Sequence, residues 1–175
     1  EKRGYNKLID IWGADHHGYI IRIHSAMKFL GYNPEDFEIM LLQMVTLLRD
    51  GQPVKMSKRT GQAVTLRELM DEVGSDAARY FFCSRTLDSQ MDFDIDLAKK
   101  QSSDNPVYYI QYANARIHSL FAQAKEAGVK WGDWEKTDFT KLTEECELDL
   151  VKKMENYHML IDGAAKERAP QRVAK

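Results

Sequence analysis

Residues 8–34 read LIDIWGADHHGYIIRIHSAMKFLGYNP and carry the signals of a strand, a loop and a helix in succession. The almost continuously apolar run from Leu8 to Trp12 breaks at Gly13, which predicts a strand buried on both faces and ending in a tight loop. Apolar residues then recur at steps of three and four, which predicts a helix from about His16 to Gly31. Because ligands of open α/β sheets bind beyond the carboxyl ends of strands, residues 13–18 are the first candidate site.

Further along, residues 37–48 alternate apolar side chains and are predicted to form one strand. A helix is the alternative, because Met40, Leu42, Met44 and Leu48 make the other face apolar too. Asp50-Gly51 is a strong hairpin signal, and Pro53 beyond it fits a short return strand at a sheet edge. Residues 91–94 are predicted to form a brief extended link. The N-terminal part therefore combines strands with connecting helices.

The rest of the chain is predicted to be helical. Thr65 and Glu68 form a capping box that opens a helix to about residue 73, and a second helix follows to about residue 82. Asn105-Pro106 caps a long helix that ends near Ala127-Gly128, since proline is favoured at the first helical position. Two more helices are predicted over residues 142–153 and 156–168.

Composition excludes several classes of protein. The 175 residues are 43% hydrophobic and 30% charged, with a formal charge of −2, as in ordinary globular domains. No apolar run reaches the roughly 20 residues of a membrane span. Neither half is basic enough to be a nucleic-acid module by charge alone. Cys83 and Cys146 lack metal-ligand spacing, so we expect them to be small buried side chains in a cytoplasmic protein.

A cationic cluster follows the predicted hairpin. Arg49, Lys55, Lys58 and Arg59 are opposed only by Asp50. Lysines are mobile point charges that can follow charge onto a leaving pyrophosphate, while Ser57 and backbone N–H groups fix its orientation. A solvated basic turn is the alternative interpretation of such a loop.

Four segments together resemble bacterial arginyl-tRNA synthetase, a class I aminoacyl-tRNA synthetase. They share the order and spacing of that family and cover nearly the whole chain. The segments are DIWGADHHGY at 10–19, LLRDGQPV at 47–54, KMSKR at 55–59 and NPVYYIQYA at 105–113. The last of them begins at the predicted helix cap, Asn105.

The resemblance implies an α/β, helix-dominated fold in two parts. Residues 1–100 would be the second half of a Rossmann-type catalytic domain with its connector helices. Residues 101–175 would begin an all-α anticodon-binding bundle. The family joins arginine to ATP and then transfers the arginyl group to its tRNA, so the resemblance implies arginine, ATP with its accompanying Mg²⁺, and tRNA as partners. It implies no protein-ligated metal.

The resemblance also assigns residues to roles. In the loop, Lys55, Ser57 and Lys58 would be catalytic, while Met56 and Arg59 would meet the nucleotide. The other implied ATP contacts are Gly13, Asp15 and His16, which follow the first predicted strand, and Met44, which lies within the predicted strand over 37–48. Asp15 would accept the ribose hydroxyls. Separately from the resemblance, the residue types suggest Tyr109, Tyr112 and Arg116 as tRNA contacts, since an aromatic ring can stack on a base and an arginine can meet phosphate. Tyrosines on a helix more often pack against a core.

Alternatives remain open at this stage. Asp15 could simply cap the following helix. Asp15-His16-His17 also matches the triplet of a manganese-dependent phosphoesterase family. A related module that binds nucleotide or RNA without catalysis is the competing function.

The first signature of class I synthetases, H-x-G-H, is missing from these 175 residues. His16-His17-Gly18-Tyr19 comes within one residue of it but lies only 38 positions before Lys55, too few for two halves of a nucleotide-binding sheet. We therefore expect that signature upstream of Glu1. A polypeptide without it is predicted to make no arginyl-adenylate, because the α-phosphate needs stabilisation from both sides.

Overall fold

The computed structural model describes residues 3–54, 64–130, 132 and 134–174. It divides into two compact units. Among the described residues, the first unit holds 3–54, 64 and 85–96, and the second holds 65–84 and the rest from 97 onward. The division at residue 100 inferred from the sequence stays a prediction.

The first unit begins with a β-α-β element. Strand β1 (Leu8–Gly13) leads through a 3-10 helix (Ala14–Tyr19) into helix α1 (Ile20–Phe29), and strand β2 (Phe37–Leu42) returns parallel to β1. A glycine in the left-handed region ends α1: Gly31 has φ 85°, and the Tyr32 amide donates to the Met27 carbonyl over 3.0 Å. This is a Schellman ending, which requires a residue that tolerates positive φ.

Two predictions for this element are wrong. Leu8, Ile9 and Ile11 are about half exposed rather than buried on both faces, because β1 pairs with β2 alone within the part of the chain that the structure describes. The helical conformation also starts earlier than expected, at Ala14. Asp15 therefore lies inside the first turn and does not occupy the cap position, which belongs to Gly13.

The predicted strand over 37–48 is two strands. After β2, strand β3 (Val45–Arg49) joins a different sheet, in which it lies between strand β4 (Gln52–Pro53) and strand β5 (Met91–Asp94). The chain changes sheets at Gln43, whose amide donates to the Leu87 carbonyl over 2.8 Å instead of continuing the first ladder. One strand cannot follow two partners, so the ladder breaks there.

The predicted hairpin between β3 and β4 is confirmed. Arg49 pairs with Gln52, and the intervening Asp50 and Gly51 have φ of 50° and 69°. Two successive residues at positive φ are what a type I′ turn requires. The Asp50 amide also donates to Asp96 Oδ2 over 2.6 Å, which ties the turn to the residues after β5.

The core of the first unit lies at the parallel pairing of β3 with β5. Leu47 pairs with Phe93, and both are buried, Phe93 completely. Ile95, at the start of helix α4 (Ile95–Lys99), is also fully buried. Apolar area removed from water is the main source of stability here.

The second unit is helical. Besides the last residues of α4, its described α-helices are α2 (Leu66–Val73), α3 (Ser75–Cys83), α5 (Pro106–Glu126), α6 (Glu145–Glu167) and α7 (Gln171–Ala174). The capping box at α2 is confirmed: Thr65 Oγ1 accepts from the Glu68 amide, and Glu68 accepts from the Thr65 amide over 2.7 Å. The bond from the Thr65 amide, together with one from the Thr65 hydroxyl to the same carboxylate over 2.9 Å, lowers the pKa of Glu68.

Helix α3 contacts the last described residues of the chain. Ala77 and Ala78 are buried, and the Tyr80 hydroxyl donates to the Ala174 carbonyl over 2.9 Å. The N-terminus of α5 is equally well defined. Asn105 caps it, as predicted, and Pro106 occupies its first turn.

Two further expectations for the second half need correction. Residues 142–168 do not form two helices, because α6 runs unbroken; no glycine or proline lies near residue 155 to stop it. Cys83 and Cys146 are exposed rather than buried, since they lie on the last turn of α3 and the first turn of α6.

Candidate functional site

The candidate site lies at the carboxyl end of β1. Gly13 ends the strand opposite Leu42 of β2, and the chain turns there into the 3-10 helix that carries Asp15 and His16. The Asp15 Oδ2 and His16 Nε2 atoms are 3.7 Å apart. Both side chains are largely exposed, so a carboxylate and an imidazole are presented to solvent at the edge where α/β sheets bind ligands.

Gly13 leaves space that the Asp15 carboxylate occupies. A Cβ atom built on Gly13 would lie 2.5 Å from Asp15 Oδ1, closer than real Cβ contacts. The φ of Gly13 is −61°, which any residue can adopt. The glycine therefore serves close approach rather than unusual backbone geometry, and it lets the Asp15 carboxylate fold back over the strand end.

A cavity of about 470 Å³ adjoins these residues. Its lining is formed by Trp12, His16, Tyr19 and Ile23. The rings of His16 and Tyr19 meet edge to face with centroids 6.1 Å apart, and the Arg22 guanidinium lies 5.0 Å from the Tyr19 centroid. An aromatic cavity beside a carboxylate fits a ligand with one planar apolar part and one hydroxyl-bearing part.

Sequence reasoning missed three of these lining residues: Trp12, Tyr19 and Ile23. A signal for them was present. Trp12 is the last side chain before the strand ends, and Tyr19 and Ile23 follow His16 at steps of three and four, which places them on one side of the helical segment.

The structure brings together some of the predicted nucleotide contacts and leaves others untested. Gly13, Asp15 and His16 lie together. Met44 is 74% exposed and lies two residues past Leu42, the partner of Gly13, but it does not line the cavity. The loop residues lie outside the described residues: Lys55, Met56, Ser57, Lys58 and Arg59.

The described residues give no support to the phosphoesterase alternative. No group of three or more histidine, cysteine or acidic side chains within residues 3–54, 64–130, 132 and 134–174 could hold a metal ion. The N-cap alternative for Asp15 is wrong, because Gly13 holds that position and no side chain caps it.

The predicted tRNA contacts lie on α5. Tyr112 stacks on Tyr108 with centroids 6.3 Å apart. The Arg116 guanidinium lies 5.7 Å from the Tyr112 centroid and donates to the Tyr112 hydroxyl over 3.0 Å. Tyr109 is 61% exposed. Residues 106–125 contain no acidic side chain. This surface is therefore aromatic and weakly cationic, and it is not a packed core.

Comparison with known proteins agrees with this architecture. A model of the DALR anticodon binding domain matches residues 110–175, which includes most of α5 and all of α6. Arginine–tRNA ligases from Syntrophotalea carbinolica and Desulforamulus reducens are 53% and 52% identical over 98% and 99% of this chain. The chain belongs to the arginyl-tRNA synthetase family. It spans 31% of the length of each of these relatives.

Solved structures give the same result. A structure described as an arginyl-tRNA synthetase from Campylobacter jejuni matches 99% of this chain with a TM-score of 0.85 and 44% identity, over 37% of its own length. The synthetase from Thermus thermophilus matches 97% of the chain, and 30% of its own, with a TM-score of 0.70; at 22% identity it supports the fold alone. The predicted fold class, half of a Rossmann-type domain followed by the start of an anticodon-binding bundle, is confirmed.

One finding bears on membranes. None of the helices in the described part of the chain combines the length and the apolar character that crossing a bilayer needs.

The close approach at Gly13 gives a testable prediction. Gly13→Ala is expected to displace the exposed Asp15 carboxylate at small cost, and under the function proposed below it should weaken ATP binding about threefold. The measurement is isothermal titration calorimetry of the purified chain with ATP. Gly18→Ala is the matched control, because a Cβ there meets nothing within 4 Å. Equal ATP affinity of the two variants would contradict the assigned role of Gly13.

Proposed function

We propose that this chain is part of an ATP-dependent arginine–tRNA ligase, to which it contributes one side of the nucleotide site and the first helices of the tRNA-binding region. The observation that carries the proposal is the geometry at Gly13, where the Asp15 carboxylate lies over the end of the strand, 2.5 Å from the position a Cβ would take. A polar residue held against an open strand end suits a nucleotide that must approach the backbone closely.

In this proposal Asp15 accepts hydrogen bonds from the two ribose hydroxyls. A carboxylate has two oxygens and about four lone-pair positions, so it can serve both hydroxyls without a metal. His16 Nε2, 3.7 Å from Asp15 Oδ2, would lie between the ribose and the amino acid. Met44, exposed beyond the end of β2, would approach the adenine through its backbone.

The phosphates are assigned to the cationic loop from its sequence. Lys55 and Lys58 would stabilise the negative charge that moves onto pyrophosphate as it leaves, and Ser57 would orient the phosphates. Met56 and Arg59 would contact the nucleotide. In sequence the loop directly follows the β3–β4 hairpin: β4 ends at Pro53, and the Val54 amide donates to the Leu47 carbonyl over 2.8 Å. Mg²⁺ would enter with ATP.

The tRNA is assigned to α5. Tyr109, Tyr112 and Arg116 are proposed contacts, since exposed tyrosines can stack on bases and an arginine can meet phosphate. Charge supports α5 over α6, because α5 carries one acidic residue, Glu126, whereas α6 carries six. One arginine and one lysine on α5 give little salt-dependent affinity, so binding by this chain alone would be weak.

A segment exchange tests the proposal. The Syntrophotalea carbinolica enzyme, with its matching segment replaced by these 175 residues, is expected to charge tRNA with arginine, and Asp15→Ala in that hybrid should lower the rate about 100-fold. A folded hybrid without activity would favour a module that binds nucleotide or RNA without catalysis.

The 175-residue polypeptide provides the second arm of the test. We propose that it binds ATP but makes no arginyl-adenylate, even with tRNA present, because it contains no H-x-G-H sequence. Arginine-dependent exchange of pyrophosphate into ATP measures the reaction. Clear exchange by the purified polypeptide would refute this part of the proposal.

A further inference from the structure

Trp12, which lines the cavity beside Gly13, makes a hydrogen bond that the proposed function does not use. The indole Nε1 of Trp12 donates to Asp10 Oδ2 over 2.8 Å. The other oxygen, Oδ1, accepts from the Ile11 amide over 3.0 Å. Both oxygens of the Asp10 carboxylate are therefore engaged by the last residues of β1.

Strand geometry explains why these two side chains meet. Successive side chains alternate between the faces of a sheet, so residues 10 and 12 lie on the same face. Trp12 is half-buried and lines the cavity, whereas Asp10 is exposed and does not. Asp10 can therefore act on a ligand in the cavity only through Trp12.

The hydrogen bond has two consequences for the cavity. An N–H donor bonded to a carboxylate is held more strongly than one bonded to a neutral acceptor, so the indole is restrained about its side-chain torsions. The bond also satisfies the only polar atom of the indole, which leaves Trp12 to offer the ligand an apolar aromatic surface.

We propose that Asp10 is a positioning residue that holds the Trp12 indole as one wall of the pocket for the adenine ring of ATP. This inference rests on the proposed function, since it takes the ribose to lie at Asp15. The base is bonded directly to the ribose and so occupies the adjoining space, where Trp12 and Tyr19 line the cavity. A planar base stacks well on such rings.

A double-mutant cycle tests the inference by calorimetric titration of the 175-residue chain with ATP. Trp12→Phe, which removes the N–H and part of the ring, is expected to raise the Kd for ATP about fivefold. Asp10→Ala is expected to raise it about threefold, since a freed indole must be ordered on binding. In the Trp12→Phe background, Asp10→Ala should change the Kd no further, because its target is gone.

Two controls separate positioning from general damage. Asp36→Ala removes another exposed aspartate from the first unit and should leave the Kd unchanged. A chain with Trp131→Phe and Trp134→Phe keeps Trp12 as its single tryptophan. In that chain Asp10→Ala should lower the fluorescence anisotropy of Trp12, and ATP should quench its emission. If Asp10→Ala fails to fold, Asp10→Asn, which keeps one acceptor oxygen, is expected to show a smaller increase in Kd.

The outcomes are distinguishable. If the unmodified chain does not bind ATP, the nucleotide site of the proposed function fails, and this inference fails with it. If the chain binds ATP but the effects of Asp10→Ala and Trp12→Phe add independently, or Asp10→Ala has none, only the positioning role is overturned. Quenching of Trp12 by arginine and not by ATP would overturn adenine as the occupant.

Discussion

Alanine in place of Phe93 is expected to lower the free energy of unfolding of the first unit by about 3–5 kcal/mol, the largest effect of any single substitution proposed for this chain. Phe93 is fully buried on β5 and pairs in register with the buried Leu47 of β3. Removing the ring forfeits its transfer from water and leaves a cavity that the two strands cannot close. Urea unfolding, with hydrogen exchange of the β3 and β5 amides, measures the loss.

Phe29 provides the matched control. It lies at the end of α1 and is 92% exposed, so Phe29→Ala removes the same atoms from a site that buries almost none of them. We expect a change of no more than about 0.5 kcal/mol. A Phe93→Ala variant that loses less than about 1 kcal/mol would show that β3 and β5 do not form the core of this unit.

Asn105→Ala is expected to destabilise the second unit by about 2–4 kcal/mol. Asn105 is 4% exposed, and its amide makes three hydrogen bonds. Its Oδ1 accepts from the Val107 amide over 3.1 Å, and its Nδ2 donates to the carbonyls of Ala98 at 3.1 Å and Lys100 at 2.9 Å. Alanine leaves all three groups without this partner in a place that water reaches poorly.

Two further variants identify which bonds matter, with urea unfolding followed by far-UV circular dichroism. Asn105→Asp keeps the acceptor for Val107 but turns a carboxylate toward two carbonyls, so we expect it to be about as destabilising as alanine. Asp138→Ala removes an exposed cap that accepts from the Thr140 amide over 3.0 Å, and about 1 kcal/mol or less is expected. Equal losses at Asn105 and Asp138 would contradict the importance of burial.

Local signals predicted the parts of the fold that depend on local chemistry. Asp50-Gly51 gave the hairpin because few residues other than such pairs adopt two positive φ angles in succession. Thr65 with Glu68, and Asn105 with Pro106, gave two helix starts, since each pair satisfies backbone groups within its own turn. These features need no knowledge of the rest of the chain.

Features that depend on distant partners were not predictable in the same way. The alternation of apolar side chains over 37–48 resumes in the same register after Gln43, so the sequence shows no break. The segment forms two strands because its first half pairs with β1 and its second half with β5. The same limit applies to Leu8, Ile9 and Ile11, whose apolar character predicts burial but does not say what covers them. The predicted burial of Cys83 and Cys146 is wrong because the residue type alone says little about which side of a helix a residue occupies.

The candidate site was predicted in part. The break after the first predicted strand indicated Gly13, Asp15 and His16 as site residues, and the structure brings them together. The sequence could not predict the hydrogen bond from Trp12 to Asp10, because spacing places two side chains on one face without showing that they meet. The loop over 55–59 remains a prediction from its sequence.

The passage from β2 to β3 has a consequence for length variation among related chains. Only Gln43 and Met44 separate the two strands, and each strand is fixed in register to a different sheet. An inserted residue in either strand would have to be absorbed in that short passage or would slip β3 by one position. A slip of one position turns Leu47 away from Phe93 and exposes it. Insertions and deletions should therefore be rare between Phe37 and Arg49, even where substitutions are common.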